Sequence, residues 1–420
     1  MRTGRPDTGE TMSSASHSDP ATTSASGAPA PRPPEIRVVR VLGAFDIGGA
    51  EQRTIELLPR LAASGVRTSF VTLSGVKGAR GDEVEQLGSR IHPIRLDRRF
   101  PVRFYRLLRQ VRPHAVHSDV ATFSGFVLFL AALARVPIRI AHFRSDRDGH
   151  PDSLRRRLQR GVMVRLIHFC ATDVLGVAPG ALTSCYRPSW ENDPRCRVLP
   201  NGLDLGRLHR RSTLRLRDEI GAAPDDLVCV VIGRPHPLKR RSMVPSIVAA
   251  LRERGIGCRA VFVGPHDDRD DDAVRQSATR HDVLDRMHLV GPRADVGEFL
   301  AQADLLLQPS ALEGLPGTVL EARAVGTPVV ASDLPGARFI DDQLTGVALV
   351  PVDADAESWA DAVHRLGLVP GRPRGGRRAL AAFQDSVFTM ERSVEQHLAI
   401  YGRNTVAPRG GADRPAVPTG

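Results

Sequence analysis

Leu227-Val-Cys-Val-Val-Ile232 runs without a polar side chain and breaks at once into Gly233-Arg234-Pro235-His236-Pro237-Leu238-Lys239. Six apolar residues, four of them β-branched, read as a buried strand, and the glycine and prolines after them end it in a turn that carries two cations. Arginine presents a planar fork and lysine a compact point charge, a useful pair against a diphosphate. Of the 58 basic residues only Lys77 and Lys239 are lysines, so Lys239 either has a reason of its own or is a solvated surface residue.

Working outward from that strand, further apolar runs fall at 259–263, 287–290, 304–307, 328–331 and 347–350, with helical patterns between them. The first half follows the same scheme. Ile36–Leu42 reads as a strand, Gly48-Gly49-Ala50-Glu51 opens a helix through Leu61, and strand signals recur at 68–73, 115–117, 138–142 and 174–177. Alternation of this kind implies doubly wound parallel sheets, one in each half, with Pro200-Asn201-Gly202 at the boundary. Ligands in such sheets bind beyond the carboxyl ends of the strands, so the Gly48-Gly49 and Gly233–Lys239 loops should line a shared cleft.

Downstream, Glu313-Gly-Leu-Pro-Gly-Thr-Val-Leu-Glu321 sets two carboxylates eight residues apart around a glycine-rich helix start. A carboxylate accepts paired hydrogen bonds from vicinal hydroxyls, and the N–H groups of a first helical turn hold anions. One segment could then grip the sugar, diphosphate and ribose of one ligand.

Composition narrows the class. A chain of 420 residues with 41% hydrophobic and 25% charged content can bury large cores in two or three domains. Residues 1–34 are rich in Ser, Thr, Ala, Gly and Pro and are expected to be a disordered tail, as is 403–420. The start of the chain has arginines but no apolar core, so no secretory signal is expected, and Phe126–Ala134 is too short to span a bilayer and reads as a buried helix. Cys170, Cys185, Cys196, Cys229 and Cys258 show neither CxxC nor zinc spacing and read as reduced core thiols, which suits the cytoplasm.

A net charge of +11 asks for an acidic partner. Scattered arginines without a module signature argue against nucleic acid. Pro101–Arg112 sets Arg103, Arg106 and Arg109 or Arg112 on one helical face and Phe104, Leu107, Leu108 and Val111 on another, and Leu154–Phe169 repeats the pattern with five arginines. Either these are surface helices packed on a sheet, or they meet the inner face of a membrane.

The ordered set of Gly48-Gly49-Ala50-Glu51, Pro200-Asn201-Gly202-Leu203-Asp204, Gly233-Arg234 with Lys239, Val263-Gly264-Pro265, and Pro309-Ser-Ala-Leu-Glu313-Gly-Leu-Pro316 ending in Glu321-Ala322 resembles the family-four retaining glycosyltransferases, over residues 36 to 400. The similarity is greatest to the bacterial branch that builds capsular and exopolysaccharides or glycosylates natural products. The resemblance implies the α/β GT-B fold, two Rossmann-like doubly wound domains facing a central cleft. It puts an acceptor-side domain at 35–200, a donor-side domain at 201–383, and a helix at 384–402 crossing back to the first. It also implies hexosyl or N-acetylhexosaminyl transfer from a nucleotide-diphosphate sugar, a UDP-sugar before a GDP-sugar, to a hydroxyl of a glycan, lipid-linked or small-molecule acceptor. No cofactor and no metal are expected.

Carried over by residue, Arg234 and Lys239 bind the diphosphate, Glu313 the transferred sugar and Glu321 the ribose. Amides of Leu315 to Leu320, including Pro316, Gly317, Thr318 and Val319 beside Gly314, cradle phosphate. Gly48 and Gly49 approach phosphates and acceptor, and Gly233, Gly264 and Arg293 flank the nucleotide. The developing charge falls on the diphosphate, where the cations and helix N-terminus stabilise it, and the departing phosphate oxygen takes the acceptor proton on the same face.

His142 or Arg144 fills the family's histidine slot, with Asp146 and Asp148 as acceptor-side carboxylates. Asp267-Asp-Arg-Asp-Asp-Asp272 looks like a metal site of another fold, but its setting reads as a solvated acidic loop. Gly43–Gly49 does not spell GxGxxG, which argues against a dehydrogenase. A nucleotide-sugar epimerase of the same architecture and an inactive sugar-nucleotide-binding protein stay as alternatives. The arginine-heavy, alanine-rich composition suits a high-GC, actinobacterial source.

Overall fold

The computed structural model describes residues 35–46, 48–146, 153–208, 213–371 and 376–403. The tail expected at 1–34, nearly all of that at 403–420, and Asp148 lie outside the described residues.

Seven parallel strands form the first sheet: β1 Ile36–Leu42, β2 Val66–Thr72, β3 Arg90–Pro93, β4 Ala115–Ser118, β5 Ile138–Phe143, β6 Asp173–Gly176 and β7 Cys196–Val198, in the order β3-β2-β1-β4-β5-β6-β7. Six form the second: β8 Leu227–Ile232, β9 Cys258–Val263, β10 Met287–Gly291, β11 Leu305–Gln308, β12 Val329–Ser332 and β13 Val347–Val350, in the order β10-β9-β8-β11-β12-β13. Each sheet reverses its winding beside its own first strand, between β1 and β4 and between β8 and β11. A doubly wound sheet opens its ligand crevice at that switch.

Every residue of β8 is buried, as expected of a central parallel strand covered by helices on both faces. Truncating one such side chain to Ala costs about 2–5 kcal/mol. The strands missed from sequence are the short outer ones. β3 buries only Ile91 and contains Pro93, and β7 has three residues, none fully buried, so neither leaves an apolar run to read. The helix Met390–Tyr401, capped by Thr389, packs Met390, Ile400 and Tyr401 among Val38, Leu57, Ile138 and Leu175 of the first lobe. The last helix therefore packs on the lobe that holds the first strand.

Three of the five cysteines, Cys185, Cys229 and Cys258, are buried, while Cys170 and Cys196 are half-exposed, so the expectation of core thiols holds for the first three only. The acidic run is corrected. It is no loop but the start of the helix Asp268–Arg280, where Asp267 caps the backbone N–H of Asp270 at 2.9 Å. Asp271 is buried against Arg241 at 3.1 Å and His266 at 2.9 Å, and Asp270 lies 2.9 Å from Arg241. Carboxylates belong at a helix N-terminus, where they meet its unpaired N–H groups and positive pole.

Candidate active site

The wall of the cleft on the second lobe grows from the ends of β8 and β11. Gly233 leaves β8 at φ +149, and a side-chain carbon on Gly264 would fall 2.1 Å from the Gly233 carbonyl oxygen, so the two strand-end loops nest only because both are glycine. The chain then turns through Pro237–Lys239, where Leu238 accepts the N–H of Ala311 at 2.7 Å and ties this turn to the β11 loop. That contact aims Lys239 at Glu313, with Nζ donating to Oε1 at 2.5 Å. The pair is 26% and 15% exposed, which rules out a solvated surface lysine. Arg234 beside it is exposed and has no ion-pair partner among the described residues.

Sequence reading missed the residue that fixes Glu313. Gln308, the last residue of β11, donates from Nε2 to Glu313 Oε1 at 2.9 Å and to Ser310 at 2.8 Å, while its Oε1 accepts from Thr318 at 3.0 Å. A polar residue closing the apolar run Leu305-Leu-Leu was its only signal. Thr318 stands in the first turn of the helix Gly317–Val325, whose N-cap Pro316 offers no side-chain partner to the opening amides. The expected cradle of amides from 315 to 320 is narrower than that. Pro316 has no N–H, and the Leu320 amide already donates to Pro316 O at 3.2 Å, leaving Leu315, Gly317, Thr318 and Val319.

Glu321, one turn further along, accepts a hydrogen bond from Arg53 of the first lobe's helix Gly49–Ala63. Arg53 also binds Glu56 at 2.7 Å, and Glu56 takes Arg207 at 2.5 Å. Burial works against the Arg53 cation, but Glu321 and Glu56 outweigh it and hold its pKa above the usual guanidinium value.

On the first lobe, Gly48 is the N-cap of that same helix and Gly49 its first residue. His142 lies buried on β5 with Nδ1 3.0 Å from His117 Nε2, and His117 Nδ1 is 2.7 Å from the Tyr401 hydroxyl on the carboxyl-terminal helix. Asp119, just past β4, receives three bonds from the Arg40 guanidinium, the shortest 2.8 Å. Burial raises the Asp119 pKa, yet Arg40 and its neighbours overcome that and keep it well below the usual carboxylate range. Burial and the adjacent guanidiniums push His117 and His142 well below the ordinary imidazole range, so both are neutral.

Of the two candidates at this strand end, Arg144 is committed to scaffolding. It donates to Ala50 O at 3.1 Å, Asn201 at 2.8 Å and Asp119 at 3.4 Å, tying the helix start at Gly48-Gly49 to the Pro200-Asn201-Gly202 segment. His142 instead keeps Nε2 without a partner among the described residues, on a small cavity shared with Thr54, Asn201 and His397. His117, Asp119 and His142 bring their ligand atoms within 4.8 Å of one another, but two of those atoms face each other in a hydrogen bond and Asp119 is already neutralised by Arg40. That is a locked network in which a cation would have to displace existing bonds.

The two walls touch through backbone. A side-chain carbon on Gly314 would sit 2.4 Å from the Arg144 carbonyl oxygen, so the loop carrying Glu313 lies directly on the segment that follows His142. Asp146 is buried there as well. Arg293, on the loop after β10, is held in two bonds by Asp295, at 2.9 and 2.8 Å, over the ring of Phe299.

Residues 48–202 match the glycosyl transferase 4-like domain and residues 226–367 the glycosyl transferases group 1 family. The chain belongs to these glycosyltransferases, of the GT-B class. It is 28% identical over 346 residues to EpsF of Bacillus subtilis, which carries a provisional glycosyltransferase name, covering 80% of this chain and 89% of EpsF. It is 23% identical over 380 residues to the capsular polysaccharide biosynthesis glycosyltransferase CapH of Staphylococcus aureus, covering 88% and 100%. Its fold is similar to that of Anabaena HepE, solved in complex with UDP, with a TM-score of 0.71 at 18% identity over 87% of this chain and 98% of that one.

Proposed function

We propose that the protein transfers a hexosyl or N-acetylhexosaminyl group, with retention at the anomeric carbon, from a nucleoside-diphosphate sugar to a hydroxyl of a glycan, a lipid-linked glycan or a small molecule. The observation that carries this reading is the Lys239–Glu313 pair beside the N-terminus of the Gly317–Val325 helix, with the segment after His142 packed on Gly314. A lysine ammonium has three N–H donors and Glu313 takes one, so the others can reach phosphate oxygens while Glu313 keeps an oxygen for sugar hydroxyls. Arg234 and the Leu315, Gly317, Thr318 and Val319 amides complete a positive pole at the place where the leaving diphosphate gains charge.

In the step itself the bond from C1 to the diphosphate oxygen breaks as the acceptor oxygen bonds C1, and the released phosphate oxygen takes the acceptor proton on the same face. His142 Nε2 orients a sugar hydroxyl. These cations can balance the diphosphate without a metal, and the acidic run that could have held one is occupied by Arg241 and His266. Glu321 reads the ribose once it exchanges Arg53 for hydroxyls, which couples donor binding to movement of the lobes.

UDP-sugars are the first donors to test, since HepE was solved with UDP and with UDP-glucose, and relatives such as CapH serve polysaccharide synthesis. UDP release that depends on an acceptor, a product whose anomeric proton coupling matches the donor, and rates unchanged by chelator are expected. Interconversion of donor sugars without an acceptor would replace transfer by epimerisation.

A further inference from the structure

The carboxyl-terminal helix Met390–Tyr401 does more than pack on the first lobe. It places Tyr401 at the end of a chain of hydrogen bonds that runs from its hydroxyl to His117 and on to His142. All three side chains are buried.

A neutral imidazole carries one proton, and the bond made by one ring nitrogen decides what the other can do. Burial and the neighbouring guanidiniums keep His117 and His142 neutral, and burial holds the Tyr401 phenol far above its ordinary range, so its hydroxyl keeps its proton. Two proton orders are then open along the chain. In the first, Tyr401 donates to His117 Nδ1, His117 donates from Nε2 to His142 Nδ1, and His142 Nε2 carries a proton. In the second every bond is reversed, and His142 Nε2 presents a lone pair.

Asp119 does not choose between them. Its Oδ1 lies 3.6 Å from His142 Nδ1 and 3.7 Å from His117 Nε2, too far for a hydrogen bond and equally placed for a proton on either nitrogen. Tyr401 does choose. In the reversed order its proton would need another acceptor, and its hydrogen-bond partner among the described residues is His117 Nδ1 alone, at 2.7 Å. A buried hydroxyl with nowhere to donate costs more than an ordinary hydrogen bond gains.

We infer that Tyr401 is a positioning residue that fixes His142 as a hydrogen-bond donor at Nε2. The inference rests on the reading above in which His142 orients a sugar hydroxyl, and it adds the polarity of that contact. The cavity at His142 fits the same order. His397 lines it too, with Nδ1 2.7 Å from the Ser393 carbonyl oxygen. A carbonyl only accepts, so Nδ1 holds the single proton of that neutral ring, and the unpartnered Nε2 is a lone pair. Arg144, on the same wall, keeps a buried Nε–H without a partner among the described residues. Two donors and one acceptor suit a hydroxyl oxygen, which has one proton to give. With His142 reversed, two acceptors would compete for that proton.

The test is nitrogen NMR of the full chain with isotope-labelled histidine at neutral pH, the His142 signals being assigned by their loss in His142→Ala. The parent should show His142 protonated at Nε2 and bare at Nδ1. Tyr401→Phe removes one oxygen and keeps the ring, and it should move that proton wholly or partly to Nδ1. It should also lower kcat/KM about fivefold, the worth of one hydrogen bond, and do nothing in a His142→Ala background, where no donor is left to position. A parent with the His142 proton on Nδ1 overturns the inference, as does a tautomer unmoved by Tyr401→Phe, or an equal loss of kcat/KM with and without His142. The tautomer is read without substrate. A proton held at Nε2 by Tyr401 alongside turnover indifferent to His142→Ala would therefore leave this inference standing and remove His142 from the proposed reaction.

Discussion

Two ion pairs face the cleft from opposite lobes and differ in almost everything but their chemistry. Arg40 and Asp119 on the first lobe are 1% and 7% exposed, joined by three bonds, and walled in by His117, His142 and Arg144. Lys239 and Glu313 on the second are 26% and 15% exposed and joined by one bond. A sealed pair cannot exchange partners without leaving a charge in a poor solvent, whereas a half-open one can trade its partner for a ligand at small cost. The first lobe thus uses charge to hold positions and the second to receive a substrate.

Acid should break the comparison most visibly. His117, His142 and His397 all lie on the first lobe's wall, and burial with Arg40 nearby pushes His397 down to about 3. A depressed imidazole pKa contributes stability above the unfolded value near 6.5, and that stability drains as pH falls toward the folded value. The loss is at most about 1.4 kcal/mol per pH unit for each histidine. Thermal midpoints at pH 7.5, 6 and 5 should drop steeply, with the Met390–Tyr401 helix released first in hydrogen exchange. A flat profile across that range would remove the locked network from the account.

Arg40→Met comes next. It leaves Asp119 buried without its cation and should cost about 3–5 kcal/mol of stability, read by urea unfolding. Lys239→Ala should do the converse, cutting turnover about a hundredfold while its urea midpoint stays near that of the parent. If Lys239→Ala unfolds the chain while Arg40→Met spares it, the roles assigned to the two pairs are reversed. The smallest effect is expected of Arg53→Met, which frees Glu321 for ribose and should lower the donor KM by roughly fivefold with kcat nearly unchanged, the low end of a typical coupling energy.

Much of the scaffold was legible in the chain. All six strands of the second sheet lie within a residue or two of their apolar runs, because central parallel strands are covered on both faces and must be apolar throughout. Gly233, Gly264 and the Glu313–Glu321 segment were legible for a related reason: turns and helix starts demand particular residues locally. The Arg40, His117 and Asp119 network was not found, although its signal was present. Arg40 sits among the buried Val38, Val39, Val41 and Leu42 of one strand and His117 beside the buried Ala115 and Val116 of another, and a polar residue in a buried strand asks for a partner.

Local chemistry in the sequence therefore determined two doubly wound sheets, the loops at their switch points and the residue types fit for a diphosphate and a sugar. Only the tertiary structure decided which charges are spent and which are available: that Arg144 is scaffold while His142 Nε2 is unpartnered, and that Glu321 is held by Arg53 from 268 positions away. Partners so distant in the chain meet by the packing of one lobe on the other, and no spacing rule within a segment encodes that distance.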